Sequence, residues 1–495
     1  MRAVYFAGVL LFGITCPVFA VDTDNDGIPD PSDSSPSNTS LPGYTPLYTK
    51  TGYGAVGDVF GWSVSGLGDI NNDGYSDFIV GDFLDDASKY NGGTARVFSG
   101  KTGSLIYTFN PVATLDYMGH AVAGAGDVNN DGRPDIIVGA YGASSLAGFA
   151  RVFNGANGSI LYTFYGNSAS QRLGYYVSGA GDVNNDNYDD VIVGSIGSVA
   201  NVYSGKTGAV LYTYNFSGKV GKAGDVNQDG YADFLVGYRV FSGSNGALLY
   251  NLQNSLGGGN FVSLGDVAGV GDINGDGYPD MAIGDTGVAG GGCVYVFSGA
   301  NGKKLAQYFK GISTGSGFGF TLDAAGDVNK DGFADLIVGG SGFDAARVIS
   351  GANGASLYTF VGASTSDKFG YSVASAGDTN NDTYPDFIVG AYEAGASSQG
   401  QAMVFSGALN AVYWATDSDG DSVNDFQDAL PLEPLETLDM DRDGIGNNGD
   451  GDDDGDGVPD VVDAAPLDAG NTNETGLPLN APFKGSSVNE AVIVQ

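Results

Sequence analysis

A short acidic signature recurs seven times along this chain, and no other feature restricts the fold as strongly. The first copy runs Gly68-Asp69-Ile70-Asn71-Asn72-Asp73-Gly74-Tyr75-Ser76-Asp77. Later copies place their first Asp at Asp127, Asp182, Asp225, Asp272, Asp327 and Asp378, at spacings of 58, 55, 43, 47, 55 and 51 residues. Self-similarity at that period fits a propeller blade better than a solenoid turn.

Each period has one order. A segment such as Phe60-Gly61-Trp62-Ser63-Val64 leads into the acidic loop, and a run such as Phe78-Ile79-Val80-Gly81 or Ile136-Ile137-Val138-Gly139 follows it. After a variable stretch come Arg96-Val97-Phe98-Ser99-Gly100, a Lys-Thr-Gly turn and Leu105-Ile106-Tyr107-Thr108-Phe109. Short β-branched and aromatic runs between Gly-bearing turns predict strands and hairpins. None of the runs is long enough for an amphipathic helix. Four strands per period and seven periods predict an all-β, seven-bladed β-propeller. Eight segments compete for the fourth-strand role, because Pro46-Leu47-Tyr48-Thr49 precedes blade one and Ala411-Val412-Tyr413-Trp414 follows blade seven. Either one satisfies the pattern for closing the ring.

The acidic residues are unusual in kind. Only Glu393, Glu433, Glu436, Glu474 and Glu490 among the 58 are Glu, and the formal net charge is −38. Asp at alternate positions beside Gly and Asn is what an oxygen-ligand loop for a hard cation requires. Loop positions 1, 3, 5 and 9 supply the candidate ligands. They are Asp69, Asn71, Asp73 and Asp77, then Asp127, Asn129, Asp131 and Asp135, then Asp182, Asn184, Asp186 and Asp190. Next come Asp225, Asn227, Asp229 and Asp233, then Asp272, Asn274, Asp276 and Asp280. Asp327, Asn329, Asp331 and Asp335, with Asp378, Asn380, Asp382 and Asp386, complete the series. The carbonyl of position 7 is the expected backbone ligand and Ca²⁺ the expected ion, at multiple sites. An EF-hand is excluded, since position 12 is Val80, inside a strand, where that motif needs Glu. Position 6, usually Gly, is Asn187 in blade three and Thr383 in blade seven, so site seven is expected to be the weakest or to bend differently.

These residues resemble the FG-GAP repeats of the integrin alpha-subunit propeller and its bacterial relatives, over roughly Tyr44 to Ala415. Phe-Gly stands nine and eight residues before the loop Asp in blades one, six and seven, while Met118-Gly119 and Leu173-Gly174 replace it in blades two and three. Val138-Gly139-Ala140-Tyr141 and Val389-Gly390-Ala391-Tyr392 carry the second half of the motif. Blades four and five depart most, with Phe216-Ser217 and an offset Leu264-Gly265. The resemblance implies a calcium loop between the first and second strands of each blade, and a ligand face built from the loops on the opposite side.

A second acidic pattern flanks the propeller. Asp22, Asp24, Asp26, Asp30 and Asp33 form one copy, and Asp417, Asp419, Asp421, Asp425 and Asp428 another. Asp439, Asp441, Asp443 and Asp450, then Asp452, Asp454, Asp456, Asp460 and Asp463, form two more. They resemble thrombospondin type 3 repeats. The competing dockerin reading needs a helix after the loop, which Pro431, Pro434 and Pro466 would break. Ser422 and Asn447 depart from the pattern. Forty Asp fall in one proposed ligand set or another, and the rest of the chain is close to neutral, so the acidity belongs to the loops.

The expected division is a signal peptide at 1–20, a calcium repeat and linker at 21–40, the propeller at 44–415, calcium repeats at 417–470 and a flexible tail at 471–495. Arg2, the apolar run Ala3 to Thr15 and Val18-Phe19-Ala20 carry the export reading, which places the protein outside the cell or on its surface. Cys293, expected to be a buried strand residue, has no partner once Cys16 is removed, so rigidity has to come from metal instead of cystine. No membrane span is expected, the chain is expected to be a monomer, and nucleic acid is a poor partner for such an anion.

An enzyme reading has little support. The single histidine, His120, falls in a first strand, the propeller holds one Glu, and no nucleophile elbow is present. Recognition is expected instead on the variable loops opposite the acidic ones, with Tyr90, Tyr117, Tyr141, Tyr165 and Tyr392 as candidate contacts. The sequence thus reads as an adhesion or recognition protein for an extracellular protein or glycan. A lectin-like propeller is the alternative, followed by a polysaccharide-active enzyme using Asp.

Overall fold

A computed structural model describes residues 46–408 apart from 53–56, 217, 257–260, 290, 311–315, 343–344, 365 and 396–397. The signal segment, the flanking acidic repeats at 22–33 and 417–463, the strand candidate at 411–414 and the tail lie outside the described residues.

The repeats form seven four-stranded antiparallel sheets. Blade one contains Ser63–Gly68, Asp77–Asp82, Thr94–Phe98 and Leu105–Phe109, from the innermost strand outward. The inner strands neighbour one another in a closed circle, which makes the assembly an all-β propeller. Blade seven takes its outer strand from the other end of the chain. Tyr48–Thr51 pairs antiparallel with Gln401–Phe405, Tyr48 opposite Val404 and Thr51 opposite Gln401. Ring closure therefore uses the segment before blade one. Helical residues are few: Ala143–Leu146, in which Ser144 and Ser145 are left-handed, and a 3₁₀ turn at Leu252–Leu256.

The second strands are buried along their whole length, as their continuous apolar runs require. Cys293 is likewise buried, in the third strand of blade five, Cys293–Phe297. Aromatic rings pin neighbouring blades together. Phe109 stacks on Phe153 with centroids 3.9 Å apart, Phe164 on Tyr203 at 3.9 Å, and Phe360 on Phe405 at 4.5 Å. Such pairs add about 0.5–1.5 kcal/mol beyond the area they bury.

The Phe-Gly and Val-Gly pairs have a packing reason. Phe60, Met118, Leu173 and Phe318 are fully buried and form parallel bridges to the preceding blade. The glycine that follows each turns at positive φ, +84° at Gly174, which favours a residue without a Cβ. Its carbonyl then lies against the penultimate residue, a glycine, of the preceding blade's second strand. A Cβ on Gly139 would collide with the Gly174 carbonyl, and one on Gly390 with that of Gly61. The motif is thus a backbone-to-backbone contact between blades. Gly139→Ala should destabilise the propeller by about 1–3 kcal/mol through overpacking. An unchanged melting temperature in that variant would refute this account.

Candidate functional site

On one face of the disc the seven acidic loops share one hydrogen-bonding plan. The position 1 carboxylate bends back over the turn, accepting the N–H of position 5 at 2.9–3.1 Å. Its other oxygen accepts the N–H of position 6 at 2.7–3.0 Å. The position 5 carboxylate accepts the N–H of position 7 at 2.8–3.2 Å.

Position 9 is fully buried in all seven blades and joins two turns. One of its oxygens accepts the N–H of loop position 2 at 2.8–3.2 Å. The other accepts the N–H of the Gly two residues past the end of the third strand, at 2.8–3.0 Å. Acidic loops and Ser-Gly hairpins accordingly share a face. The loops are also chained around the disc. Ser76 N–H bonds the Asp378 carbonyl at 2.9 Å, linking blade one to blade seven, and Asp189, Ala232 and Ala334 repeat the contact at 3.1 Å.

Burial away from water, with the loop's other carboxylates nearby, pushes the position 9 carboxyls up. Asp77, Asp233 and Asp386 rise to about 6, Asp135 and Asp190 to about 7 and Asp335 to about 8, while Asp280 rises well above its ordinary value. Backbone N–H bonds oppose the rise and do not cancel it. Among the described residues no three His, Cys, Asp or Glu side chains converge as a closed cluster. In the loops, several carboxylates instead receive N–H or amide donors. Asn274 and Asn329 donate to Asp276 and Asp331 at 3.0 and 2.7 Å, and Asn71 and Asn129 donate to Asp77 and Asp135 at 3.2 and 3.3 Å. In blade three, Asn184 Oδ1 is buried and accepts no hydrogen bond. An amide oxygen left open in a loop that also carries Asp182, Asp186 and Asp190 is of the kind a hard cation takes.

The altered sixth positions keep the common turn. Asn187 takes φ +66° and Thr383 φ +74°, close to the +85° of Gly132, so loop seven does not bend differently. The loop's N–H pattern holds Thr383 in a conformation its β-branch disfavours. Thr383→Gly should therefore stabilise the chain by about 1 kcal/mol or more, read as a raised unfolding midpoint. A neutral or destabilising result would count against strain at this turn.

Without cation, the raised carboxyls stay protonated to higher pH in the folded chain than in the unfolded one, which ionises near 3.8. Their contribution is favourable at low pH and is lost as pH rises toward about 8. Melting followed in chelator should therefore show stability falling from pH 4 to pH 8, and excess Ca²⁺ should abolish the fall. A flat or rising profile in chelator would overturn this account.

The opposite face carries an aromatic mouth around a central cavity of about 960 Å³. The residue after each motif glycine reaches it from blades one, two, three, six and seven: Trp62, His120, Tyr175, Phe320 and Tyr371. Residues at the ends of second strands complete the belt. Trp62 meets Phe83 at 4.7 Å, Tyr371 at 4.7 Å and Tyr392 at 5.1 Å. Tyr141 meets Tyr117 at 5.1 Å, near parallel, and Tyr175 at 5.1 Å. His120 lies among Phe83, Tyr141 and Tyr175 at 5.2, 4.7 and 4.3 Å. Burial lowers the His120 pKa to about 4, so the ring is neutral at physiological pH and works as a packed side chain. Burial, then the neighbouring Tyr117 and Tyr175, pushes Tyr141 up to about 12.

Blades four and five interrupt the belt with charge. Lys219 Nζ lies 3.2 Å from Asp266, donates to the Phe320 carbonyl at 2.9 Å and sits 5.1 Å above the Phe320 ring. Of the tyrosines read from sequence, Tyr117, Tyr141 and Tyr392 join the mouth. Tyr90 and Tyr165 stand apart, 64% and 58% exposed. Trp62, Phe83, Tyr175, Phe320 and Tyr371 were not among the sequence candidates. For all but Phe83 the signal was available, since an aromatic or His follows the motif glycine in five blades.

Comparison with known proteins agrees with this architecture. Residues 118–161 and 369–405 match the FG-GAP repeat, and residues 272–338 match the FG-GAP-like repeat. The propeller is integrin alpha-like. Integrin alpha-V of Gallus gallus is 30% identical over 269 residues, covering 51% of this chain and 23% of its own. Integrin alpha-8 of Gallus gallus is 29% identical over 245 residues, 48% of this chain and 21% of its own. Integrin alpha-IIb of Mus musculus is 37% identical over 112 residues, 21% of this chain and 10% of its own. Each match spans less than a quarter of the relative's length. Among the described residues no helix is long and apolar enough to cross a membrane.

Proposed function

We propose that this chain is a calcium-dependent adhesion or recognition protein acting outside the cell, with its ligand taken on the face opposite the acidic loops. The observation that carries this reading is the aromatic mouth, in which half-buried rings from five blades ring a cavity instead of filling a core. Clustered, half-exposed aromatic rings are typical of binding surfaces, where rigid side chains offer large contact area at little entropic cost. The likeness to integrin alpha subunits supports an adhesion role, and the export signal read from the sequence supports an extracellular one.

Calcium has a structural part in this reading. In blade three Asp182, Asn184, Asp186 and Asp190 would hold it, with the corresponding side chains in the other blades. The ion supplies positive charge among carboxylates that otherwise repel at close range. Its neighbours are the turns on which the second strands start, and those strands carry Phe83, Tyr141 and Tyr392 just past their far ends. The acidic repeats at 22–33 and 417–463 would bind further calcium and serve as stiff spacers.

A partner protein is the first expectation for the mouth. Exposed Tyr90 and Tyr165 favour a second reading, glycan binding, because flat rings standing clear of the surface stack readily on sugars. A screen against surface proteins and glycans with and without Ca²⁺ separates the two. Trp62→Ala and Tyr392→Ala should weaken protein binding about tenfold or more while leaving Ca²⁺ content intact. Loss of glycan binding through Tyr90→Ala and Tyr165→Ala alone would favour the second reading. Calcium removal should lower the melting temperature sharply, and binding that survives chelation unchanged would overturn the calcium-dependent reading.

A further inference from the structure

A cleft of about 660 Å³ lies away from the mouth, between the outer strands of blades two and three. The outermost strand of blade two, Ile160–Tyr165, and the connection after it form one wall. The third and fourth strands of blade three, Ala200–Tyr203 and Val210–Tyr214, form the other. No residue lining the cleft carries a charge, in a chain whose net charge is −38. Four of the lining side chains are amides, Asn167, Gln171, Asn201 and Asn215, and the exposed Tyr165 ring stands beside them.

Two residues set blade three apart from its neighbours. In four blades the third-strand residue opposite the last Val of the second strand is Arg: Arg96, Arg151, Arg239 and Arg347. These long side chains occupy their surroundings. Arg96 pairs with Asp85, Arg151 sits 4.7 Å from the centre of the Phe149 ring, and Arg239 lies 4.5 Å from that of Tyr238. Blade three has the shorter Asn201 there, opposite Val193. Two residues on, Tyr203 replaces the Phe of blades one, two, four, five and seven, which is Phe98, Phe153, Phe241, Phe297 and Phe405. The two changes act together. The Thr213 hydroxyl donates to Asn201 Oδ1 at 2.9 Å, and Asn201 Nδ2 donates to the Tyr203 hydroxyl at 3.0 Å. Asn201 and Tyr203 are each only 6% exposed, and no described residue accepts the proton of the Tyr203 hydroxyl. A buried donor left open is costly, and this one borders a cavity. Gln171 is also half used: its Oε1 accepts the N–H groups of Asn167 and Ser168 at 2.6 and 3.2 Å, and its amide nitrogen donates to no described residue.

We propose that this cleft is a second binding site and that it takes a neutral sugar of one or two pyranose rings. Sugar hydroxyls both donate and accept, which matches amide side chains and the open proton of Tyr203. The Tyr165 ring offers a flat apolar surface for the C–H face of a pyranose. An uncharged lining holds no partner for a sulfate or carboxylate on the ligand, and the volume falls in the range of small-molecule sites. Because the lining has no carboxylate, side chains hold the sugar directly, with no calcium ion between. The inference gives the glycan reading above a place and a ligand class, and it stands whether or not the mouth takes a protein.

Saturation-transfer NMR on the full chain in excess Ca²⁺ tests this, with neutral hexoses, N-acetylhexosamines and their disaccharides as probes and sialylated and sulfated sugars beside them. Neutral sugars should bind. Asn201→Arg installs the residue of four other blades, so it should keep the parent melting temperature, fill the cleft and abolish binding. Tyr203→Phe, the residue of five other blades, removes one hydroxyl and should weaken binding about threefold to tenfold. Binding of charged sugars alone, of no sugar, or of neutral sugars with undiminished affinity in Asn201→Arg would overturn the proposal. Binding lost through Trp62→Ala and kept in Asn201→Arg would put the sugar in the mouth, overturning this site and sparing the glycan reading. Should Asn201→Arg not fold, Tyr165→Ala at the surface decides the matter. A loss of about threefold or more supports the site, and an unchanged affinity overturns it.

Discussion

The propeller depends on one carboxylate repeated seven times. The ninth loop residue, from Asp77 through Asp386, is sealed from water and receives one N–H from its own loop and one from the glycine just past the third strand of the same blade. That pair of bonds sets the position of the first-to-second turn relative to the end of the third strand. It fixes the register of the sheet at the loop end, where Gly68 stands opposite Asp77 and Gly377 opposite Asp386. A neutral hydrogen-bonding residue could accept these bonds with less desolvation. Asp keeps a negative charge where two others already lie, and the charge has to be offset. In acid a proton offsets it, in keeping with the raised pKa of these carboxyls.

The second strand transmits this constraint. Each starts at the position 9 Asp, runs for four to six residues and ends at the opposite face, buried throughout. It is too short and too tightly packed to bend independently of its ends. In blades one, two, five, six and seven the glycine near its far end lies against the motif glycine of the next blade, so displacing one turn strains the adjoining interface. The side chains after that glycine are therefore placed by contacts on both faces. Phe83, Tyr141 and Tyr392 stand on the best-fixed part of the chain, although they belong to loops of variable length.

Much of this was legible in the sequence because the period, the carboxylate spacing and the alternation of short apolar runs with Gly turns are local properties. Closure was not, since Tyr48–Thr51 and the segment after blade seven offer the same local pattern. Only pairing with Gln401–Phe405, some 350 residues away, selects the first. The mouth was half legible. Tyr141 and Tyr392 stood out in the variable loops, whereas Trp62 and Tyr371 were not among the candidates, although each follows a glycine of positive φ and lines the cavity. At Thr383 a correct propensity argument gave the wrong outcome for the backbone. The carboxylate of Asp378 bonding its N–H at 2.8 Å, with six other loops of the same shape, outweighs the preference of one β-branched residue.

The departures of blades four and five then become intelligible as a property of the mouth. Five blades present rings to the cavity, and these two present Lys219 and Asp266, already paired to each other. Because Lys219 also bonds the Phe320 carbonyl and covers its ring, the charged sector is anchored to the aromatic one. Lys222 of blade four and Asp323 of blade six also line the cavity, with burial raising the Asp323 pKa and the lysine opposing it. Propeller symmetry would give a ligand seven equivalent orientations. An aromatic arc closed by a charged sector has one preferred direction, so a ligand with an apolar face and a polar edge can seat in a defined orientation.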